Sequence, residues 1–212
     1  MLSTRGCESD HSMSTKTREE SLALLHEYTK STSLLNHALA VEACMRWYGS
    51  YFYGSHVQTH GETVDLELWG NTGLLHDFDY EMFPEPVAPD GHPFAGNSIL
   101  EKLGYPEELR TAIMGHALYT NTPRVTLLDK TLFAVDELSG LITASVLVRP
   151  DKSIHNLEVK SVMKKFKDKA FARGCNREDI RLGAEELGIP LEQHTANCIE
   201  AMKPLSQQLF GV

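Results

Sequence analysis

Two neighbouring residues with chemically useful side chains, His76 and Asp77, follow an apolar pair near the end of a predicted helix. His37 lies on the apolar face of an earlier predicted helix, and Asp136 lies inside a long apolar stretch. Since a bare carboxylate is costly to bury, Asp136 must face water, form a salt bridge or cap, or bind a cation. Imidazole and carboxylate groups together are a typical ligand set for first-row divalent ions. The joint pattern therefore predicts a metal site.

The backbone around His76 and Asp77 decides whether both side chains can reach one ion. Adjacent residues of a straight helix point about 100° apart, so the chain has to turn at this pair. Glycines and prolines close by permit such a turn. Taken alone, His37 or His76 is more typical of a histidine packed in a core, and His56 is a further histidine near a helix end. The metal hypothesis therefore depends on the set and not on any one residue.

Helical spacing of apolar residues dominates the chain. We find no strand alternation of useful length and no internal repeat, so the sequence predicts an all-α, single-domain helical bundle. Ser33 and Asn176 are predicted helix caps, and Pro106 is a predicted first helical residue. The proline-rich stretch from Asp79 to Gly91 is predicted to be a loop. Predicted helices cover residues 17–29, 31–52, 62–78, 92–104, 105–120, 124–148, 156–174 (as one or two short helices), 176–189 and 191–210.

The domain boundaries follow from the same pattern. Residues 1–16 are polar, and we expect them to be disordered or foreign to the native protein, with Met13 as a candidate start. Residues 17–212 are expected to form one domain. Within it, the metal-binding part covers about 30–150, and C-terminal helices cover 151–212.

Charge and composition exclude several classes of function. The chain has 20 Lys+Arg against 29 Asp+Glu, a formal charge of −9, which argues against a nucleic-acid polymer as partner. No apolar run is long enough to predict a transmembrane helix, and the N-terminus does not resemble a secretory signal. The four cysteines form no CxxC pair, which indicates reduced thiols. We therefore expect a cytoplasmic protein without a membrane partner.

The residues His37, His76-Asp77 and Asp136 occur in an order that resembles the HD-domain superfamily of metal-dependent phosphohydrolases. Their contexts, "LLNHALAVEACM", "GLLHDFD" and "FAVDELSGLI", are also similar to that superfamily, and the resemblance covers roughly residues 30 to 150. His92 and His116 extend the order to H…HD…H…H…D, which resembles the members that can hold two metals.

The resemblance implies a divalent transition metal, Fe, Mn, Co, Ni or Zn, as one or two ions. Asp77 would bridge two ions, with His92 and His116 on the second. A substrate contact is the alternative for both histidines. The pair is followed by Phe78-Asp79-Tyr80, whereas several dinuclear members have glycine and lysine at the last two positions, so the number of ions stays open. The implied ligands of the first ion are His37, His76, Asp77 and Asp136.

Phosphoryl transfer requires groups that position water and neutralise the non-bridging oxygens. Asp77 and Asp79 are candidate catalytic residues, and Glu81 or Glu137 could also orient water. Lys130 is a candidate catalytic cation, and Arg149 is a candidate substrate contact, as are His92 and His116. Further basic candidates are Lys152, Lys164, Lys165 and Lys167.

Three functions fit this set of residues. The first is a metal-dependent phosphohydrolase that acts on a small phosphate ester or nucleotide. The second is a di-iron oxygenase of the same superfamily, which needs both His92 and His116 as ligands. The third is a non-catalytic, metal-bound sensing module. The sequence leaves open the substrate, the metal and the oligomeric state, including a homodimer.

Overall fold

The computed structural model describes residues 16–54 and 64–211, and no strand occurs among them. The all-α, single-domain prediction is confirmed. His56 and most of the predicted N-terminal tail lie outside the described residues. Short 3-10 turns occur at Leu118–Thr120, Ile154–Asn156 and Lys203–Leu205. The α-helices are α1 (Arg18–Tyr28), α2 (Thr32–Tyr53), α3 (Leu66–Leu75), α4 (Phe94–Lys102), α5 (Glu107–His116), α6 (Leu127–Leu147), α7 (Val159–Lys167), α8 (Arg177–Leu187), α9 (Leu191–Met202) and α10 (Ser206–Phe210).

Capping side chains fix several helix starts. The Asn176 side chain accepts hydrogen bonds from the backbone N–H groups of Glu178 and Asp179 in the first turn of α8, as predicted. The residue at the cap position of α2 is Ser31, whose side chain makes no capping hydrogen bond, and not Ser33, which lies inside the helix. Pro106 is the residue before α5 and not its first residue. The predicted final helix is divided, because Pro204 lies in the turn between α9 and α10 and cannot donate to a helical ladder.

Close helix crossings set the positions of the helices that carry the candidate ligands. A Cβ added to Gly73 of α3 would lie 2.8 Å from Cγ of Met45 on α2. A Cβ added to Gly183 of α8 would lie 2.5 Å from Cα of Ala134 on α6. Only glycine permits these approaches, so α3 lies tightly on α2 and α8 lies tightly on α6. α2 also packs directly on α6, which brings the two halves of the ligand set together.

A buried polar network links α2, α6 and α9. Nε2 of His194 lies 2.9 Å from the carbonyl oxygen of Ala134, which can only accept, so Nε2 donates. Nδ1 then accepts from the Tyr48 hydroxyl at 2.5 Å, and Asn197 donates to the same hydroxyl at 3.2 Å. Burial lowers the pKa of His194 to about 4, so the ring is neutral at pH 7. His194 is therefore a packing residue of the core, fully buried among its partners.

None of the described helices combines the length and the apolar composition that a bilayer crossing demands.

We predict that replacing His194 by glutamine removes a pH-dependent part of the free energy of unfolding. The folded-state pKa of His194, about 4, lies below its ordinary value of 6.5. Its contribution is therefore complete above the ordinary pKa and is lost as the pH falls toward the folded-state pKa. Between pH 7 and pH 5, the wild type should lose about 2 kcal/mol more than His194→Gln in urea unfolding. Equal losses in the two proteins, at matched metal content, would contradict this role.

Candidate metal centre

Helix ends and one buried helix face place the ligand candidates. His76 directly follows the last residue of α3, and His116 is the last residue of α5. His37 lies in the second turn of α2, and Asp136 lies in the middle of α6. His92 comes from the loop just before α4. The chain turns after α3, as the sequence required, so Asp77 points to the same place as His76.

The first group of possible ligands consists of His37, His76 and Asp136. Nε2 of His37 lies 3.0 Å from Oδ1 of Asp136 and 3.2 Å from Nε2 of His76. Nε2 of His76 lies 3.5 Å from the same Asp136 oxygen. Three ligand atoms at these separations could hold one metal ion.

The second group consists of Asp77, His92 and His116. Nε2 of His92 lies 3.2 Å from Oδ1 of Asp77, and Nε2 of His116 lies 3.3 Å from that oxygen. The two Nε2 atoms are 3.3 Å apart. The structure thus brings together all six residues predicted as ligands, in two groups of three.

Asp77 joins the two groups because its oxygens face in different directions. Oδ1 lies in the second group, and Oδ2 lies 3.3 Å from Nε2 of His76 in the first. Oδ2 is also 3.9 Å from Nε2 of His37. A carboxylate in this position can contribute one oxygen to each of two ions.

The hydrogen-bond partners of two histidines indicate that the nitrogen atoms facing the site can bind a cation. Nδ1 of His76 lies 2.8 Å from the carbonyl oxygen of Gly73, and Nδ1 of His116 is bonded to the carbonyl oxygen of Ile113. Since a carbonyl only accepts, both Nδ1 atoms carry the proton, and a neutral ring presents an Nε2 lone pair. The Nε2 atoms that point into the site are then hydrogen-bond acceptors, and they lie close to carboxylate oxygens, which are acceptors too. Such an arrangement is repulsive unless a positive charge lies among them.

The pKa directions lead to the same conclusion. Burial alone would lower the pKa of His76, but the Asp77 and Asp136 carboxylates raise it well above its ordinary value. Burial alone would raise the pKa of Asp77, but His76 and His116 hold it well below its usual range. Burial also opposes ionisation of Asp136, yet His76 and His37 lower its pKa. Protons and metal ions therefore compete for the same electron pairs.

Asp79 orients His92 and does not face the cavity. Its Oδ1 lies 2.7 Å from Nδ1 of His92, and its Oδ2 accepts the backbone N–H of Gly96 at 2.7 Å. The side chain is 1% exposed. Its position differs from the one expected for a residue that orients water, because both oxygens are already engaged. A carboxylate that holds the far nitrogen of a histidine fixes the ring orientation and raises its basicity as a ligand.

Glu81, the other acidic candidate in this loop, lies at the surface. It accepts the backbone N–H groups of Lys30 and Ser31, both at 2.9 Å, and so completes the start of α2. Burial and Asp136 raise the pKa of Glu137, in contrast, to about 7, and this residue lines the cavity at the metal groups.

A cavity of about 700 Å³ opens over both groups. Its walls include Tyr80, Tyr119, Glu137, Cys175 and Asp179, and no lysine or arginine is among the described residues that line it. The ring of Tyr80 packs edge-on against His92 at 5.5 Å, and the Tyr119 hydroxyl donates to the His92 carbonyl oxygen at 2.9 Å. The ligand residues that face the cavity are His37, Asp77, His92, His116 and Asp136.

The predicted cations lie outside this cavity. Arg149 pairs with Asp151 at 2.9 Å just beyond α6, and at 1.5 Å per residue it is about 20 Å along the helix from Asp136. Lys130 lies in the first turns of α6 and is also absent from the cavity wall. The cavity wall also contains none of the four other basic candidates, Lys152, Lys164, Lys165 and Lys167. The structure thus places none of these basic residues in the wall of the cavity that they were expected to assist.

Four residues of the cavity wall were not predicted from the sequence: Tyr80, Tyr119, Cys175 and Asp179. Tyr80 and Tyr119 each lie three residues after a ligand, and that spacing was an available signal. Cys175 and Asp179 lie about forty residues after Asp136 in sequence. Only the packing of α8 on α6 brings them to the site, and no local pattern indicates it.

We predict that Gly96→Ala weakens metal binding at the second group. A Cβ at this position would lie 2.6 Å from Cγ of Asp79, so the carboxylate that holds His92 would have to move. We expect the affinity for the more weakly held ion to fall about 10- to 100-fold in a competitive chelator titration. Gly174→Ala is the matched control, because a Cβ there meets nothing within 4 Å. Equal affinities in Gly96→Ala and the control would refute the role of Asp79.

Comparison of the chain with protein-family models, with curated proteins and with solved structures gave no match. A function for this chain therefore has to be inferred from the two ligand groups and the cavity that they share.

Proposed function

We propose that the chain is a metal-dependent phosphohydrolase of the HD-domain superfamily that hydrolyses a small phosphate ester or nucleotide. The observation that carries this proposal is the position of Asp77, whose two oxygens lie 3.2 and 3.3 Å from histidines of different groups. Shared carboxylates of this kind are typical of hydrolytic sites with two ions. The order of the residues along the chain supports the same family.

The six candidate ligands would bind two ions. His37, His76 and Asp136 would hold the first ion, His92 and His116 the second, and Asp77 both. Divalent ions bound there would polarise a phosphoryl oxygen and lower the pKa of a bound water. The ligand set suits Fe, Mn, Co, Ni or Zn.

The remaining residues would position the substrate and restrict water. His76 and His92 are almost fully buried, so their rings would need little rearrangement when ions and substrate bind. Pro84, Pro86 and Leu118 provide apolar wall that limits the entry of water. Among the described residues no partner engages the Tyr80 hydroxyl, which would donate to a phosphoryl oxygen at the cavity mouth.

We place this activity in the cytoplasm, on a small phosphorylated substrate. The described cysteines Cys44, Cys175 and Cys198 are all free thiols, which supports a reducing compartment.

A di-iron oxygenase is the second candidate. The observation that favours it is the presence of both His92 and His116 in the second group, which is the condition that this chemistry sets. The roomy cavity beside the groups argues against the third candidate, a sensing module without catalysis, because a purely structural metal site is normally closed.

We predict close to two ions per chain in protein purified without chelator. His92→Ala should retain about one ion, because the first group keeps its ligands, whereas Asp77→Asn should lose affinity at both positions. His155→Ala, a change in an exposed histidine outside the site, should retain the wild-type content. Elemental analysis of the four proteins measures this directly. No bound metal in the wild type under any loading condition would refute the metal centre.

We predict that the metal-loaded protein hydrolyses p-nitrophenyl phosphate and that Asp77→Asn lowers kcat/KM by at least about 100-fold. The reason is that the substitution weakens the group shared by both ions. His155→Ala should retain the wild-type rate. If the wild type turns over no phosphate ester but consumes oxygen in the presence of Fe²⁺, the oxygenase would replace the hydrolase as the better proposal.

A further inference from the structure

The wall of the cavity carries several carboxyl groups and, among the described residues, no lysine or arginine to pair with them. The carboxyl groups are those of Asp77, Asp136, Glu137 and Asp179. Asp77 and Asp136 belong to the ligand groups. Glu137 and Asp179 do not belong to these groups. They are therefore available to contact the part of a bound molecule that does not touch the ions.

Asn176 holds these two carboxylates in place. Its backbone N–H donates to Oε2 of Glu137 at 3.1 Å, and its side-chain amide donates to Oδ2 of Asp179 at 2.8 Å. Within the part of the chain that the structure describes, the second oxygen of each carboxylate accepts no hydrogen bond. Each therefore has an acceptor left for a bound molecule.

A separate observation indicates that a charged ligand enters this cavity. The rings of His92 and His116, 5% and 9% exposed, turn Nε2 lone pairs toward the same space and meet acceptors there instead of donors. The two ligand groups could therefore hold cations, and bound cations would in turn bind an oxyanion. Elsewhere in the same wall, Glu137 and Asp179 offer carboxylates, which attract a cationic group and disfavour an anionic one.

We propose that the substrate is a small phosphate monoester whose organic part carries an ammonium group. This inference rests on the proposed hydrolase function and narrows its substrate class. The phosphate would meet the two ligand groups, and the ammonium would meet Glu137 and Asp179. A nucleoside polyphosphate fits less well, because each additional phosphate adds negative charge where none of the described wall residues is a lysine or arginine.

Two phosphonates provide a matched pair of probes. In 3-aminopropylphosphonate a methylene replaces the ester oxygen of phosphoethanolamine, so the molecule binds without being hydrolysed. In 3-hydroxypropylphosphonate a hydroxyl replaces the ammonium. Isothermal titration calorimetry of the wild-type protein, with the metal that it retains on purification, gives the ratio of the two dissociation constants.

We expect the amine to bind at least about 10-fold more tightly than the alcohol. In the double variant Glu137→Gln/Asp179→Asn this preference should fall to about 2-fold or less. Glu185→Gln removes one negative charge from an exposed position on α8 outside the cavity wall and should retain the wild-type ratio.

A wild-type ratio near one, a preference that survives in the double variant, or no binding of either phosphonate would each overturn the proposal. Turnover is measured separately, with phosphoethanolamine itself as the substrate. If the amine binds selectively but neither phosphoethanolamine nor p-nitrophenyl phosphate is hydrolysed, the hydrolase proposal fails while the selectivity for a cationic ligand stands.

Discussion

The rest of the site depends on the contacts that the Asp77 carboxylate makes with histidines of both ligand groups. Its oxygens lie between two sets of histidine nitrogens that all present lone pairs, at separations of 3.2 to 3.3 Å. Such a concentration of acceptors is unstable without positive charge, and in a buried place it must be imposed by the surrounding fold. The close crossings of α3 on α2 and of α8 on α6 contribute to that constraint, because tight packing there fixes the relative positions of these helices.

Much of this arrangement could be predicted from the sequence. Helical periodicity indicated an all-α chain, and the order of His37, His76-Asp77 and Asp136 identified residues that the structure brings together. These features are local, since each depends on spacing within one helix or on the residues next to a helix end. The cap of α8 at Asn176 was predictable for the same reason.

The parts that could not be predicted depend on tertiary packing. Asp79 looked like a cavity residue, but its partners are His92 and Gly96, thirteen and seventeen residues away. Lys130 and Arg149 looked close to Asp136 in sequence, yet the rise and rotation of α6 carry them away from the cavity. Asp179 entered the site only because Gly183 lets α8 approach α6. No single stretch of sequence contains that information.

The hydrogen bonds of Asn176 affect how the sequence around the cavity can change during evolution. The candidate ligands lie on α2, α5 and α6, directly after α3 and in the loop before α4, whereas Asn176 and Asp179 belong to the C-terminal third. Because one residue anchors both carboxylates of the cavity wall, a few substitutions around the start of α8 can change which molecules are accepted while the ligand groups stay intact. The part of the cavity wall that α8 contributes can therefore change in sequence separately from the candidate ligands.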